Sequence, residues 1–98
     1  MTAIGSIAQS GMQAAQQRMH ASAHNVANQN TADFRRHEVR QQAQEQGGVQ
    51  AETRRTTEAA ALEKEAVEQV SASYAYLANL QVLRTNDRMQ GALLDERA

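Results

Sequence analysis

The chain contains no proline in its 98 residues. Proline is the strongest helix breaker, because its ring removes one backbone hydrogen bond and clashes with the preceding turn. Long uninterrupted helices are therefore permitted along the whole sequence. A chain of this length allows one small domain, and we predict a single domain over residues 1–98.

The first segment, residues 3–28, has the period of an α-helix. Its predicted stripe repeats at spacings of three and four and consists of Ile4, Ile7, Gly11, Ala15, Met19, Ser22 and Val26. Arg18 is the only formal charge among the first 31 residues, although a solvent-facing helix normally carries Lys and Glu. Other protein can thus cover most of this helix at little desolvation cost. We expect Thr2 to cap its start, and Asn28 to end it in a left-handed conformation.

Residues 31–57 lose the helical period. Polar residues alternate with small or apolar ones after Gly47-Gly48, a dipeptide typical of hairpin turns. The pattern predicts a β-hairpin with strands at 34–44 and 49–56, in which arginines and glutamates pair across the strands. A flexible linker is the alternative, because the glutamine-rich run 41–46 has weak strand propensity.

A second helical pattern covers residues 58–96. Its predicted apolar stripe consists of Leu62, Ala66, Val70, Leu77, Leu80, Leu83 and Leu94. Thr57 is the predicted N-cap. The early charged residues are expected to form a solvated face, and they are Glu63, Lys64, Glu65 and Glu68. No charge occurs from Ser71 to Leu83, so we expect this stretch to be the most buried.

Together these segments predict a mainly α fold. Two long terminal helices pair as an antiparallel coiled-coil hairpin and are joined by a short β-hairpin or flexible segment. The expected apposition sets Ile7, Met19 and Val26 against Leu83, Leu77 and Val70 or their neighbours. Large apolar side chains are few for the length of the chain, so we expect partners to complete its core.

Composition and motifs argue against several classes of function. No cysteine is present, which excludes disulfides, thiolate metal sites and thiol nucleophiles. A net charge of −1 gives no electrostatic case for nucleic acid, and no apolar run approaches the length of a membrane span. No catalytic triad, paired carboxylates or phosphate-binding loop is visible. We predict no enzymatic activity, no cofactor, no nucleic-acid partner and no membrane insertion.

The two histidines of the first helix have the spacing of some zinc sites. His20 and His24 lie four residues apart, but no third ligand has suitable spacing on that helix. A helix-face or capping role is the favoured interpretation, and we predict no metal site.

Two terminal regions resemble a known family. In the first region, the run from Ala8 to Met19 is followed by an asparagine-rich run from Ser22 to Thr31 and by Phe34-Arg35-Arg36. The second region is the run from Tyr74 to Thr85, near the other end of the chain. Present in this order at the two termini, these runs resemble the bacterial flagellar basal-body rod and hook family of axial proteins. The chain departs from the family pattern in its shorter middle segment, and in having Ala32-Asp33 where the family usually has Pro-Gly.

The resemblance implies a structural, rod-type subunit of the flagellar basal body that assembles through its terminal helices. The resemblance implies that other axial subunits and copies of the chain are its partners. It also implies export through the flagellar type III apparatus without a cleaved signal peptide, and a location in the periplasm-spanning rod. An N-terminus without the basic region and apolar core of a signal peptide agrees with such export. The motif residues implied in assembly are Gly11, Met12, Ser22, Asn25, Val26, Ala27, Asn28, Thr31 and Phe34.

A further candidate surface lies in the charge-free stretch of the second helix. Ala72, Ala75, Ala78 and Asn79 share one side of it, where small side chains let a neighbouring backbone approach. This face either contacts another subunit or receives the first helix.

Two other function classes fit the sequence less well. A DNA-binding regulatory domain would need a basic recognition helix, and neither helix provides one. A cytosolic coiled-coil adaptor or export-chaperone-like module fits the periodicity nearly as well, but it does not account for the asparagine-rich run.

Overall fold

A computed structural model describes the backbone of residues 2–97 and the side-chain surroundings of residues 4–93. Its elements are α1 (Thr2–Ala27), β1 (His37–Ala43), β2 (Val49–Arg55) and α2 (Leu62–Arg97). The predicted mainly α architecture is confirmed, and the described chain is elongated, at 64 × 25 × 13 Å. The predicted cap at Thr2 and the stripe residue Leu94 lie outside the described side chains. Within the described residues, neither helix has the length and hydropathy of a membrane span.

The two helices are antiparallel, as predicted. Gly5 lies beside Leu83, and the Ser22 hydroxyl donates a hydrogen bond to the Glu65 carbonyl oxygen, 2.9 Å away. This register agrees with the expected apposition of Ile7 and Leu83. It contradicts the other two appositions, of Met19 with Leu77 and of Val26 with Val70, by about two helical turns.

Small side chains set this register. The buried apolar residues are all alanines: Ala8, Ala14, Ala15, Ala21 and Ala72. At Gly11 the helices come so close that an added Cβ would lie 2.6 Å from the Cγ atom of Asn79. The interface is thus built on close backbone approach, and the large apolar stripes are not matched to each other.

The predicted apolar stripe of α2 points away from α1 over much of its length. Leu62, Val70 and Leu77 are 57%, 52% and 57% exposed. Between Ser71 and Leu83, Ala72 is buried and six further residues are half-buried, so this stretch is the least exposed part of α2, as predicted, although Tyr74, Leu77 and Val82 remain exposed. The side of α1 that faces α2 carries alanine, glycine, serine and asparagine, which accommodate small residues better than leucine.

The second helix begins at Leu62, four residues later than predicted. Thr57 is therefore not its N-cap. The preceding segment instead pairs with the backbone of Arg36, whose N–H donates to the Glu58 carbonyl and whose carbonyl accepts from the Thr56 N–H. These bonds extend the ladder beyond the hairpin and delay the helix.

The predicted hairpin is confirmed. The antiparallel register places Glu38 opposite Arg54 and Arg40 opposite Glu52, so opposite charges face each other across the strands. Gly47 and Gly48 have φ angles of 97° and 85°, in the left-handed region that glycine tolerates. The hairpin lies along α1: the Val49 N–H donates to the Ser10 hydroxyl at 3.0 Å, and the Gln17 amide donates to the Thr53 hydroxyl at 2.7 Å.

The end of α1 corrects another prediction. Asn28 does not adopt a left-handed conformation; its side-chain amide instead donates to the His24 carbonyl at 2.9 Å and satisfies a terminal acceptor. The left-handed residue is Asp33, with a φ of 60°. Asp33 stands where the resembled family usually has glycine, and aspartate is among the few residues that visit this region readily.

Candidate assembly surface and its polar core

A buried polar network joins the ends of three elements. Asn25, in the last turn of α1, is fully buried. Its side-chain amide donates to the His37 carbonyl at 2.9 Å, and its side-chain oxygen accepts from the His37 N–H at 2.6 Å. Asn25 therefore presents a peptide-like edge to the first residue of β1 and fixes the hairpin to the helix.

The same asparagine reaches an ion pair. Glu65 of α2 is fully buried and accepts hydrogen bonds from Arg36 Nε at 2.8 Å and from the Asn25 amide at 3.0 Å. Arg36, just before β1, is itself buried. The pair thus connects α2 to the base of the hairpin, and Asn25 adds α1. The Ser22 hydroxyl completes the group through the Glu65 carbonyl.

The electrostatics of this pair favour the charged forms. Burial by itself raises the pKa of Glu65, but the hydrogen bonds from Arg36 and Asn25 and the arginine charge outweigh it, so that the pKa is lowered overall. The hydrogen bond to Glu65 raises the pKa of Arg36 despite the cost of burial. We therefore treat both groups as ionised in the folded chain.

An aromatic cluster includes His37, whose backbone is hydrogen-bonded to Asn25 of this network. The ring of His24 lies 4.7 Å from that of His37 and 5.5 Å from that of Phe34, measured between centroids. Burial lowers the pKa of His37, and the charges of His24 and Arg55 lower it further. His24 therefore packs on the turn, and within the described residues no group of three or more potential metal ligands occurs.

A charged cleft lies between β1 and the start of α2. Its arginine and lysine side chains each pair with a glutamate: Arg18 with Glu68, Arg36 with Glu65, and Lys64 with Glu58. The charges are balanced in pairs, which is typical of a structural network and not of an anion-binding site.

The residues implied by the family motif fall into two groups. Gly11, Ser22 and Asn25 lie in the interface between the helices or in the polar network. Met12 lies next to Gly11 in the first half of α1 and is half-buried. The others form the end of α1 and its turn: Val26, Asn28 and Phe34 are half-buried, whereas Ala27 and Thr31 are exposed. In the turn, the Thr31 N–H donates to the Asn28 carbonyl, and the Phe34 N–H donates to the Thr31 carbonyl.

The alanine face predicted on α2 is divided between two surroundings. Ala72 is buried against α1, and Asn79 lies over Gly11 and donates a hydrogen bond to the Ala75 carbonyl of its own helix. Ala75 is half-buried beside them, whereas Ala78 is exposed. Ala72, Ala75 and Asn79 therefore belong to the internal interface. Of the four residues, only Ala78 is open to a partner.

Ala78 lines an apolar groove between the start of α1 and the second half of α2. Ile4, Val82 and Met89 are the large apolar side chains along it, and each is close to half exposed or more. We call these four residues the terminal groove. Its walls come from both ends of the chain, so the antiparallel pairing of the helices is what creates it.

Sequence reasoning missed the two charged members of the polar network. The sequence predicts Glu65 on a solvated face of α2 and Arg36 in ion pairs within the hairpin. Their partnership joins residues 29 positions apart. No local periodicity signals such a pair, because each residue lies in a segment that also contains exposed charges.

Comparison with known proteins gives a family match for the first part of the chain. Residues 6–35 match the sequence model of a family described as "Flagella basal body rod protein". No curated protein matches the chain. The matched region spans α1 from its second turn, the turn containing Asp33, and Phe34. It includes the contact residue Gly11 and the network residues Ser22 and Asn25.

That family is a structural component of the flagellum, which supports a structural role in the basal body and agrees with the interpretation that the chain is not an enzyme. The resemblance noted in the sequence is confirmed over residues 6–35, where the chain is similar to the flagellar basal body rod protein family.

Proposed function

We propose that the chain is a rod-type structural subunit of the flagellar basal body that packs against neighbouring axial subunits through its terminal helices. One observation carries this proposal. Ten large apolar side chains among the described residues are at least 43% exposed, whereas the buried apolar residues are all alanines. A soluble monomer rarely exposes contiguous apolar patches of this kind, and they commonly mark protein interfaces.

The terminal groove is the proposed contact with a neighbouring subunit. Its small residue, Ala78, allows close approach, and its large ones, Ile4, Val82 and Met89, supply apolar area. Helices of adjacent subunits bury such surfaces by inserting side chains between them. The groove therefore suits another axial subunit or another copy of the chain.

Export through the flagellar type III apparatus and a place in the periplasm-spanning rod are part of the same proposal. The family match supports the basal-body location. The alanine-based interface supports export in an unfolded form, because burying alanine stabilises the folded state less than burying leucine.

Fractionation of the bacterium that encodes the chain tests this proposal. An epitope-tagged chain is followed in the parent strain and in a strain whose flagellar export apparatus is inactive. We expect the chain to co-purify with basal bodies in the parent and to remain in the cytoplasm of the second strain. A chain that stays cytosolic in both would contradict the proposal and favour the adaptor or chaperone alternative.

A pair of variants tests the groove itself. Val82→Asp places a charge in the terminal groove, and we expect it to remain helical but to be depleted from basal bodies. Gln69→Asp, an exposed position of the same helix outside the groove, is the matched control and should incorporate normally. Equal incorporation of both variants would rule out the groove as the contact.

A further inference from the structure

The outer side of α2 carries a second apolar surface, which adjoins the terminal groove at Gln81. Its residues alternate at spacings of four and three over eight positions: Glu63, Val67, Val70, Tyr74, Leu77, Gln81, Arg84 and Arg88. We call this set the outer stripe. All eight are exposed, with Val67 and Tyr74 at 70% and 69%. This spacing averages 3.5 residues, which is the repeat of helices that wrap around each other.

The internal interface lies on the opposite side of the helix. Glu65, Ala72, Asn79 and Asn86 recur every seventh residue, and each is buried or half-buried. They fall between successive members of the outer stripe, half a turn away around the helix axis. Pairing with α1 therefore uses one face of α2 and leaves the outer stripe without a partner among the described residues.

The order of residues along the stripe is self-complementary. It begins with an acid, Glu63, continues with four apolar residues, and ends with two bases, Arg84 and Arg88. None of these three charged residues belongs to an ion pair within the described chain. A parallel partner of the same sequence would place like charges together, whereas an antiparallel one brings the acid toward the bases.

We propose that two copies of this chain associate antiparallel through their outer stripes. When the apolar segments of two copies, residues 67–77, are aligned antiparallel, Val67 of one copy lies opposite Leu77 of the other, and Val70 lies opposite Tyr74. Glu63 then faces Gln81, one turn from Arg84. The association is two-fold and closed, because each copy uses the same surface. It differs from the terminal-groove contact and does not depend on the rod assignment.

Analytical ultracentrifugation of the purified chain tests the association. We expect a reversible dimer whose dissociation constant rises about tenfold or more in Leu77→Asp, since a charge replaces a central apolar contact. Gln69→Asp, exposed on another side of α2, should dimerise like the unchanged chain. Far-UV circular dichroism confirms that both variants stay helical. A chain that is monomeric at all concentrations, or equal behaviour of the two variants, would overturn the proposal.

Charge reversal tests the orientation. Glu63→Arg and Arg84→Glu should each raise the dissociation constant at least about twofold, and combining them in one chain should restore it. In a parallel dimer each of these residues would face its own copy, so a single change would replace one like-charge contact by another and would leave the dissociation constant unchanged.

Disulfide trapping gives an independent answer, because the chain has no cysteine of its own. A Glu63→Cys chain mixed with a Gln81→Cys chain should form the mixed disulfide. Efficient cross-linking of the Glu63→Cys chain to itself would show parallel packing and refute the antiparallel model. Neither measurement involves flagella, so its failure is distinguishable from failure of the rod proposal.

Discussion

Replacing Glu65 by glutamine should destabilise the fold more than any change at an exposed glutamate of the same helix. Glutamine keeps the size of the side chain and one acceptor for the Asn25 amide, but it removes the negative charge. Arg36 would then be a buried guanidinium whose strongest partner, 2.8 Å away, had lost its charge. The structure offers no other carboxylate in direct contact with Arg36 among the described ion pairs.

The magnitude follows from the burial of both partners. The Glu65 side chain is 0% exposed and that of Arg36 is 6% exposed, so solvent screens the pair very little. Breaking a buried pair by removing one partner typically costs about 3–5 kcal/mol. Small domains have a total free energy of unfolding of about 5–15 kcal/mol. We therefore expect Glu65→Gln to remove a large share of the stability of this chain.

Urea denaturation followed by far-UV circular dichroism measures this effect, with Glu63→Gln as the exposed control two residues away. A companion variant, Arg36→Met combined with Glu65→Leu, should be less destabilised than the sum of the two single changes, because neither charge is left unpaired. If Glu65→Gln and Glu63→Gln had the same urea midpoint, the polar network would not hold the elements together and our account of it would be wrong.

Four further expectations concern the helix interface, the turn, pH and concentration. Gly11→Leu should lower the free energy of unfolding by about 1–3 kcal/mol, because the larger side chain overpacks against Asn79. Gly91→Leu has no neighbour within 4 Å and should raise the free energy of unfolding by about 0.8 kcal/mol, because leucine has the higher helix propensity. Equal shifts in urea midpoint for the two variants would contradict this. Asp33→Gly should be neutral or stabilising by up to about 1 kcal/mol in thermal denaturation, and a clear loss would argue against the left-handed turn. Acidification should weaken the fold, because the pKa values of His37 and Glu65 are lowered in the folded chain and the unfolded chain therefore binds more protons. As the pH falls, the stabilisation from His37 is lost below about pH 6.5 and that from Glu65 below about pH 4.5. Urea midpoints that stay constant from neutral pH to pH 4 would refute this. Helicity should rise with protein concentration, since partners cover the exposed apolar residues, and a concentration-independent, highly stable monomer would count against it.

The sequence was sufficient to predict the elements and their antiparallel arrangement. Gly47-Gly48 between alternating residues identified the hairpin, because a tight turn there needs positive φ angles. Helical periodicity identified α1 and most of α2, and the absence of proline allowed both to be long. These features depend on local backbone preferences, which a single sequence carries directly.

The orientation of α2 could not be predicted in the same way. We equated its leucine and valine stripe with the core, and the structure places Val70 and Leu77 on the outside. Periodicity shows that an apolar face will be covered, but it does not show whether the same chain or another one covers it. In this chain the internal contact is made by small residues, such as Ala15 and Ala72, whose hydropathy is too weak to mark a face.

The polar network was unpredictable for a different reason. Asn25 belongs to the asparagine-rich run, from which we predicted the end of the first helix at Asn28 and, through the family resemblance, a role in assembly. Its actual partners, His37 and Glu65, come from β1 and α2. A buried polar residue can be recognised in a sequence only when its partners are also known, and here the three segments meet only after folding.

The central claim, a structural place in the flagellar rod, is tested most directly by electron cryo-microscopy of basal bodies purified from the parent strain and from a strain lacking this chain. We predict that the averaged maps differ within the rod by density for an antiparallel helix pair with a short hairpin along one helix. Identical maps, with the chain found only in the cytosol of the parent strain, would contradict the account.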